Sequence, residues 1–177
     1  NKLKLFGDVN EAVKDADIII FCVPSKFVAS LCNGITEDLS KKQLVTAVKG
    51  MEPEKIMLVS EYLQERFNVS ADQMAVISGP CHAEEVALER MSYLTIGSSN
   101  QALAAEVAEI MSVSFIHTCV SKDMEGIEYS AVMKNVMALA TGIAHGLGYG
   151  DNFTSVLITN AIQEMKRFLD AVKPMER

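Results

Sequence analysis

Residues 18–23, "IIIFCV", are apolar at every position. An amphipathic helix or a half-exposed strand would place polar residues at regular intervals, and this run has none. It predicts a strand covered on both faces, as in layered α/β sheets. The run is far shorter than the ~20 residues needed to cross a membrane, and no longer compact apolar run follows it. Residues 25–39 then carry a helical stripe of Phe27, Leu31, Ile35 and Leu39. The alternation continues: strand to loop at 43–50, helix at 54–67, strand to loop at 73–80, helix at 82–89. A strand at 92–98, a helix at 100–112 capped by Asn100, and a strand at 114–120 complete it. Alternation of this kind predicts parallel strands joined by helical crossovers.

Near residue 121 the pattern changes. Residues 121–150 read as helical over most of their length, with Ser121 or Asp123 as the cap. Gly146, Gly148 and Gly150 break that helix, and Asp151 or Asn152 opens another that ends before Pro174. The fold class is therefore α/β, a parallel sheet over 1–121 followed by the start of an all-α part over 122–177. Apolar residues make up 49% and charged residues 22%, enough to fold around a core. The net charge of -7, with no basic stripe, argues against nucleic acid as a partner. Cys22, Cys32, Cys81 and Cys119 lie far apart without CxxC or histidine spacing, so neither a metal site nor a disulfide framework is expected. Reduced thiols fit a cytoplasmic protein, with Cys22 and Cys119 as small apolar fill in strands.

Ligands of such sheets bind beyond the carboxyl ends of the strands. Three strand ends carry unusual loops: "CVPSKF", "AVKG" and "SGPCHAEE". Lys49 can meet an anion there, or be a solvated loop lysine, while Gly50 keeps the backbone open. Gly79 and Pro80 turn the chain sharply into a helix whose free N–H groups can receive an anion or an oxygen. His82 reads as a cap or a proton carrier, and Cys81 as a thiol whose reactivity a helix start would raise. The lysine-asparagine pair Lys134 and Asn135 sits in the apolar stretch "EYSAVMKNVMALATG". Small and apolar neighbours leave the ammonium poorly paired, which lowers a lysine pKa and suits acid/base work. The other reading is a lysine snorkelling to the surface. The residue pattern leaves both open.

As an ordered set, "ADIIIFCVPSKFV", "VKG", "SGPCHAEEVA", "GIEYSAVMKNVMALATGIAHGLGYGDN" and "ITNAIQEM" resemble NAD(P)-dependent glycerol-3-phosphate dehydrogenase over essentially the whole chain. The resemblance implies a partial Rossmann-like domain at 1–121 and the start of a helical substrate domain at 122–177. It implies hydride transfer between NAD or NADP and C2 of glycerol 3-phosphate or dihydroxyacetone phosphate. Lys134 is then the general acid/base, assisted by Asn135. Lys49, Gly79 and Cys81 fall at substrate positions, and Phe27, Lys49 and Ala83 at cofactor positions. The partner is a small phosphorylated molecule, with phospholipid biosynthesis as the setting, no membrane insertion, and an unpaired strand edge compatible with a homodimer. Cys81 and His82 replace the family's usual Ser and Phe. There is no GxGxxG loop, and the family's Arg-Asn phosphate pair is expected beyond Arg177, so the chain reads as the middle of the enzyme. Two alternatives stand beside this one. The first is another dehydrogenase of the 6-phosphogluconate and hydroxyacid group. The second is a chain that by itself binds dinucleotide poorly and is inactive.

Overall fold

The computed structural model describes residues 3–175. Helix α1 (Val9–Lys14) is capped by Asp8, whose carboxylate accepts from the Asn10 amide at 2.9 Å. Strand β1 (Ile18–Phe21) leads through a 3-10 turn, Ser25–Phe27, into α2 (Val28–Gly34). Strand β2 (Gln43–Thr46) is followed by a small hairpin of β3 (Met51–Glu52) and β4 (Met57–Leu58), then by α3 (Val59–Phe67). Strand β5 (Met74–Ser78), α4 (Ala83–Ala87) and β6 (Ser92–Gly97) come next. Helix α5 (Gln101–Met111) starts at Asn100, which accepts from the amides of Ala102 and Leu103 as the sequence led one to expect. Strand β7 (Ile116–Ser121) precedes two long helices, α6 (Met124–Gly146) and α7 (Asp151–Val172).

The main sheet has the order β1-β2-β5-β6-β7. Its central residues alternate between two cores, as the two-residue period of a strand requires. Leu44, Met74 and Val76 join Val28, Val59 and Leu63 on the face covered by α2 and α3. Val45, Ala75 and Ile77 join Ile96, Leu103 and Val107 on the face covered by α5. Truncating any of the fully buried leucines to alanine would cost about 2–5 kcal/mol.

The sheet departs from the all-parallel expectation. Strands β1, β2 and β5 are parallel, β6 pairs with β5 antiparallel, and β7 follows β6 in parallel. The cause lies in α4, predicted over 82–89 but only five residues long. Such a helix rises ~7.5 Å, whereas a five-residue strand spans ~17 Å. It cannot carry the chain back along the sheet, so the chain returns beside β5 in reverse.

Other boundaries also move. The helix predicted over 25–39 ends at Gly34, and Ile35 and Leu39 reach the core from the following loop. The helix predicted over 54–67 begins only at Val59, because the preceding residues form the β3–β4 hairpin. Cys22 and Cys119 are exposed rather than core fill. Cys22 stands past the end of β1, Cys119 points from β7 to the open face, and Cys32 is the buried thiol. Asp123 caps α6 by accepting from the Gly126 amide at 2.9 Å, while the Ser121 hydroxyl accepts from the Asp123 amide. Among the described residues no helix is long and apolar enough to cross a membrane.

The reversal of β6 and β7 decides where α6 goes. Its first turn lies against Gly97, where an added Cβ would stand 3.0 Å from the Met124 Cα. From there α6 runs back over β5 and β6 and emerges past Ser78, at the carboxyl ends of β1, β2 and β5.

Candidate active site

Two of the three strand-end loops touch. Gly50 has a φ of 151°, and a Cβ there would lie 2.7 Å from the Ser25 hydroxyl oxygen. The turn after β1 and the turn after β2 can approach this closely only because Gly50 has no side chain. Gly79 plays the same part on the other side: at φ 137°, its Cβ would stand 2.3 Å from the Tyr93 carbonyl oxygen. Between them is a hollow of about 200 Å³ whose lining includes Cys22, Lys49, Ser78, Gly79 and Cys81. The predicted residues Lys49, Gly79 and Cys81 thus come together, separated in sequence but joined by the sheet. Lys49 is exposed on the rim and Cys81 is half-buried. Phe27 is 49% exposed, with the Lys26 ammonium 4.8 Å from its ring centre. Ala83 is exposed at the first position of α4 and lies outside this lining, as does Phe27.

Lys134 lines a second hollow, of about 900 Å³, between α6 and α7. Its walls combine Ala131, Ala138 and Met165 with polar groups from Ser130, Thr141, His145 and Asp151. Residues 131, 134, 138, 141 and 145 recur at helical spacing, so one strip of α6 faces the hollow. Asn135 is exposed and sits about 100° off Lys134, outside that lining. The expectation that apolar neighbours desolvate Lys134 is corrected here. The residue is exposed, because its strip of α6 opens on the hollow rather than on packed side chains. It forms no ion pair among the described residues.

Ser78 joins the two regions. It lines both hollows and a third of about 480 Å³, which also touches Gly79, Ser121 and Ser130. Sequence reasoning passed over Ser78 in favour of its neighbours. Its signal was its place as the last residue of a strand before Gly-Pro. His145 and Asp151 were also missed, because helix-end polar residues carry no distinctive spacing.

A buried carboxyl group stands behind this site. Glu128 of α6 is 1% exposed, and its carboxylate accepts from the Ser60 amide at 3.1 Å and the Ser60 hydroxyl at 2.5 Å. Burial pushes its pKa up to about 7, against the lowering effect of those hydrogen bonds. Ser60 lies in the first turn of α3, whose cap residue Leu58 has no polar side chain to offer. A carboxylate from another helix therefore satisfies an amide that the local sequence leaves open. Beside it, the Lys173 ammonium donates to Glu61 at 2.7 Å, which raises the Lys173 pKa and ties the end of α7 to the same turn.

This arrangement of loops and helices has relatives. The model of the NAD-dependent glycerol-3-phosphate dehydrogenase N-terminus matches residues 1–104, and that of its C-terminus matches residues 123–177. A glycerol-3-phosphate dehydrogenase [NAD(P)+] of Oceanobacillus iheyensis is 34% identical over 94% of this chain and 49% of its own length. The Lysinibacillus sphaericus protein of that name is 36% identical over 91% of this chain and 48% of its own. Among solved structures, glycerol-3-phosphate dehydrogenase of Plasmodium falciparum is similar with a TM-score of 0.89 and 25% identity, covering 97% of this chain and 48% of that one. The enzyme of Coxiella burnetii gives 0.82 and 27%, covering 95% and 51%. The chain spans about half the length of the curated relatives it matches. With both halves of the family pattern matched in order along one chain, it belongs to the NAD-dependent glycerol-3-phosphate dehydrogenase family.

Proposed function

We propose that this chain carries the strand-end loops and the acid/base helix of an enzyme that interconverts glycerol 3-phosphate and dihydroxyacetone phosphate with NAD or NADP. The observation that carries this reading is that Ser78, the last residue of β5, lines both the hollow that holds Lys49 and the hollow that holds Lys134. On reduction, Lys134 gives a proton to the carbonyl oxygen at C2; on oxidation, it takes the hydroxyl proton back. Its ammonium also stabilises negative charge as it develops on that oxygen. Lys49 offers a point charge to phosphate oxygens at the rim. Asn135, on the neighbouring strip of α6, offers an amide to a ligand that reaches beyond the lysine.

The residues present fit the nicotinamide end of a dinucleotide. The hollow at Cys22, Lys49, Gly79 and Cys81 is small and mainly apolar, with one cation on its edge. Bound there, the cofactor supplies or accepts the hydride. We assign residues 1–121 to the dinucleotide-binding part and 122–177 to the start of the substrate part. A cytoplasmic enzyme, assembled as a homodimer and feeding phospholipid biosynthesis, is the setting this reading carries with it.

The test is reduction of dihydroxyacetone phosphate by the complete protein, followed by loss of NADH or NADPH absorbance. Turnover with either cofactor is expected. No turnover with both would sink the reading, and sedimentation of the same sample checks the dimer.

A further inference from the structure

Glu128 has no part in the chemistry just described, yet it is one of the largest fully buried side chains of the protein. An acid is costly to bury, and its hydrogen bonds come from the first turn of α3, from the Ser60 amide and hydroxyl and the Val59 amide. What the contact does is mechanical. It fastens α6 to the first turn of α3, an element wedged against β2 and β5 by Val59, Leu63 and Phe67. Lys134 lies six residues further along the same helix, about 9 Å along the axis. Apart from Glu128, no residue of the stretch 127–137 makes a side-chain hydrogen bond to another helix among the described residues.

We propose that Glu128 is a positioning residue, whose tie to Ser60 sets where α6 leaves the sheet and hence where Lys134 stands relative to Ser78. The inference rests on the acid/base role given to Lys134 above. Its physical basis is that a rigid helix turns a small rotation at its anchor into a displacement further along. A misplacement of about 1 Å in a reacting group can cost ~100-fold in rate. Lys173 and Glu61 provide a second tie at the same turn, so loss of Glu128 alone should loosen α6 without unfolding α3. Glu61 on α3 and Tyr129 on α6 interact with the carboxyl group, and Tyr129 in turn meets Glu125 on α6 and Lys173 after α7.

The experiment compares Glu128→Ala, Glu128→Gln and Ser60→Ala in the complete protein, by steady-state kinetics across pH and by amide hydrogen exchange. Glu128→Ala is expected to lower kcat about 10- to 100-fold, with KM for dihydroxyacetone phosphate little changed. Exchange should quicken in the first turn of α3 and across 129–137. Glu128→Gln keeps an acceptor for the Ser60 amide and is expected to restore most of kcat while changing the pH profile near neutrality. Ser60→Ala should act in the same direction as Glu128→Ala but more weakly, and it carries the test if that variant does not fold. Variants that lose thermal stability while keeping wild-type kcat and exchange across 129–137 would overturn the proposal, because the tie would then be structural only. If the wild type shows no turnover at all, the proposed reaction fails first. Unchanged exchange across 129–137 would then also overturn the positioning role, and quickened exchange would support it.

Discussion

Gly50 and Ser25 stand so close that a methyl group added at Gly50 would lie 2.7 Å from the Ser25 hydroxyl oxygen. The two loops that frame the smaller hollow are therefore held in contact by the absence of a side chain. Gly50→Ala meets two obstacles, the contact itself and a φ of 151° that L-residues rarely adopt. The expected loss is about 1–3 kcal/mol, read from urea midpoints. Adding Ser25→Gly should recover the part due to contact and leave the part due to backbone strain.

Lys134→Met tests the acid/base role directly. The residue is exposed, so stability should stay within ~0.5 kcal/mol of wild type. Turnover should fall by about 100- to 10,000-fold. Stopped-flow assays of dihydroxyacetone phosphate reduction read the second number and thermal melting the first. Wild-type turnover in a folded variant would remove Lys134 from the mechanism.

Glu128 makes stability depend on pH with a definite sign. Burial raises its folded pKa from 4.5 to about 7. Folding therefore favours the protonated form, and this contribution is fully present below about 4.5 and lost as pH rises through about 7. The change is on the order of 3 kcal/mol. Glu128→Gln should flatten that segment of the stability curve. Parallel curves for wild type and variant, from urea titrations between acid and neutral pH, would contradict it.

The cysteines should separate by accessibility. Cys22 and Cys119 are exposed and should react fastest with an alkylating reagent. Cys32 is buried, its pKa pushed up to about 11 by burial despite Arg66 nearby, and should react only on unfolding. Cys81 is intermediate and shares a hollow with Lys49, so its alkylation is expected to abolish turnover. Because Cys22 lines the same hollow, the double variant Cys22→Ser, Cys81→Ser should stay active and resist that inactivation, with peptide mass mapping as the check.

Much of the fold was legible in the sequence because core strands and their helices leave periodic marks. The run at Ile18–Phe21, the cap at Asn100 and the stop before Pro174 all left such marks. Strand direction did not, because alternation of apolar residues is the same whichever way a strand runs. The length of α4 decided it, and helix length is the weakest part of a periodicity reading. For the candidate site, the place of Lys49, Gly79 and Cys81 at strand ends was enough to predict that they would meet in one hollow. The exposure of Lys134 was hidden, because local neighbours do not reveal whether a helix face opens on a hollow or on a core. Glu128 was visible as an acid inside "GIEYS", but its partner Ser60 is 68 residues away.

The reversal between β5 and β6 has a consequence in time. Lys134 can reach the carboxyl ends of β1, β2 and β5 only after β6 and β7 have joined the sheet and α6 has been laid across it. The contacts that complete this assembly are long-range in sequence, such as Ser60 with Glu128 and Glu61 with Lys173. Such contacts form late, since the entropy of closing long loops must be met before they contribute. Refolding followed in parallel by far-ultraviolet dichroism and by turnover should show helices recovered well before activity. On the proposed function, the order of assembly would make turnover a report on completed topology.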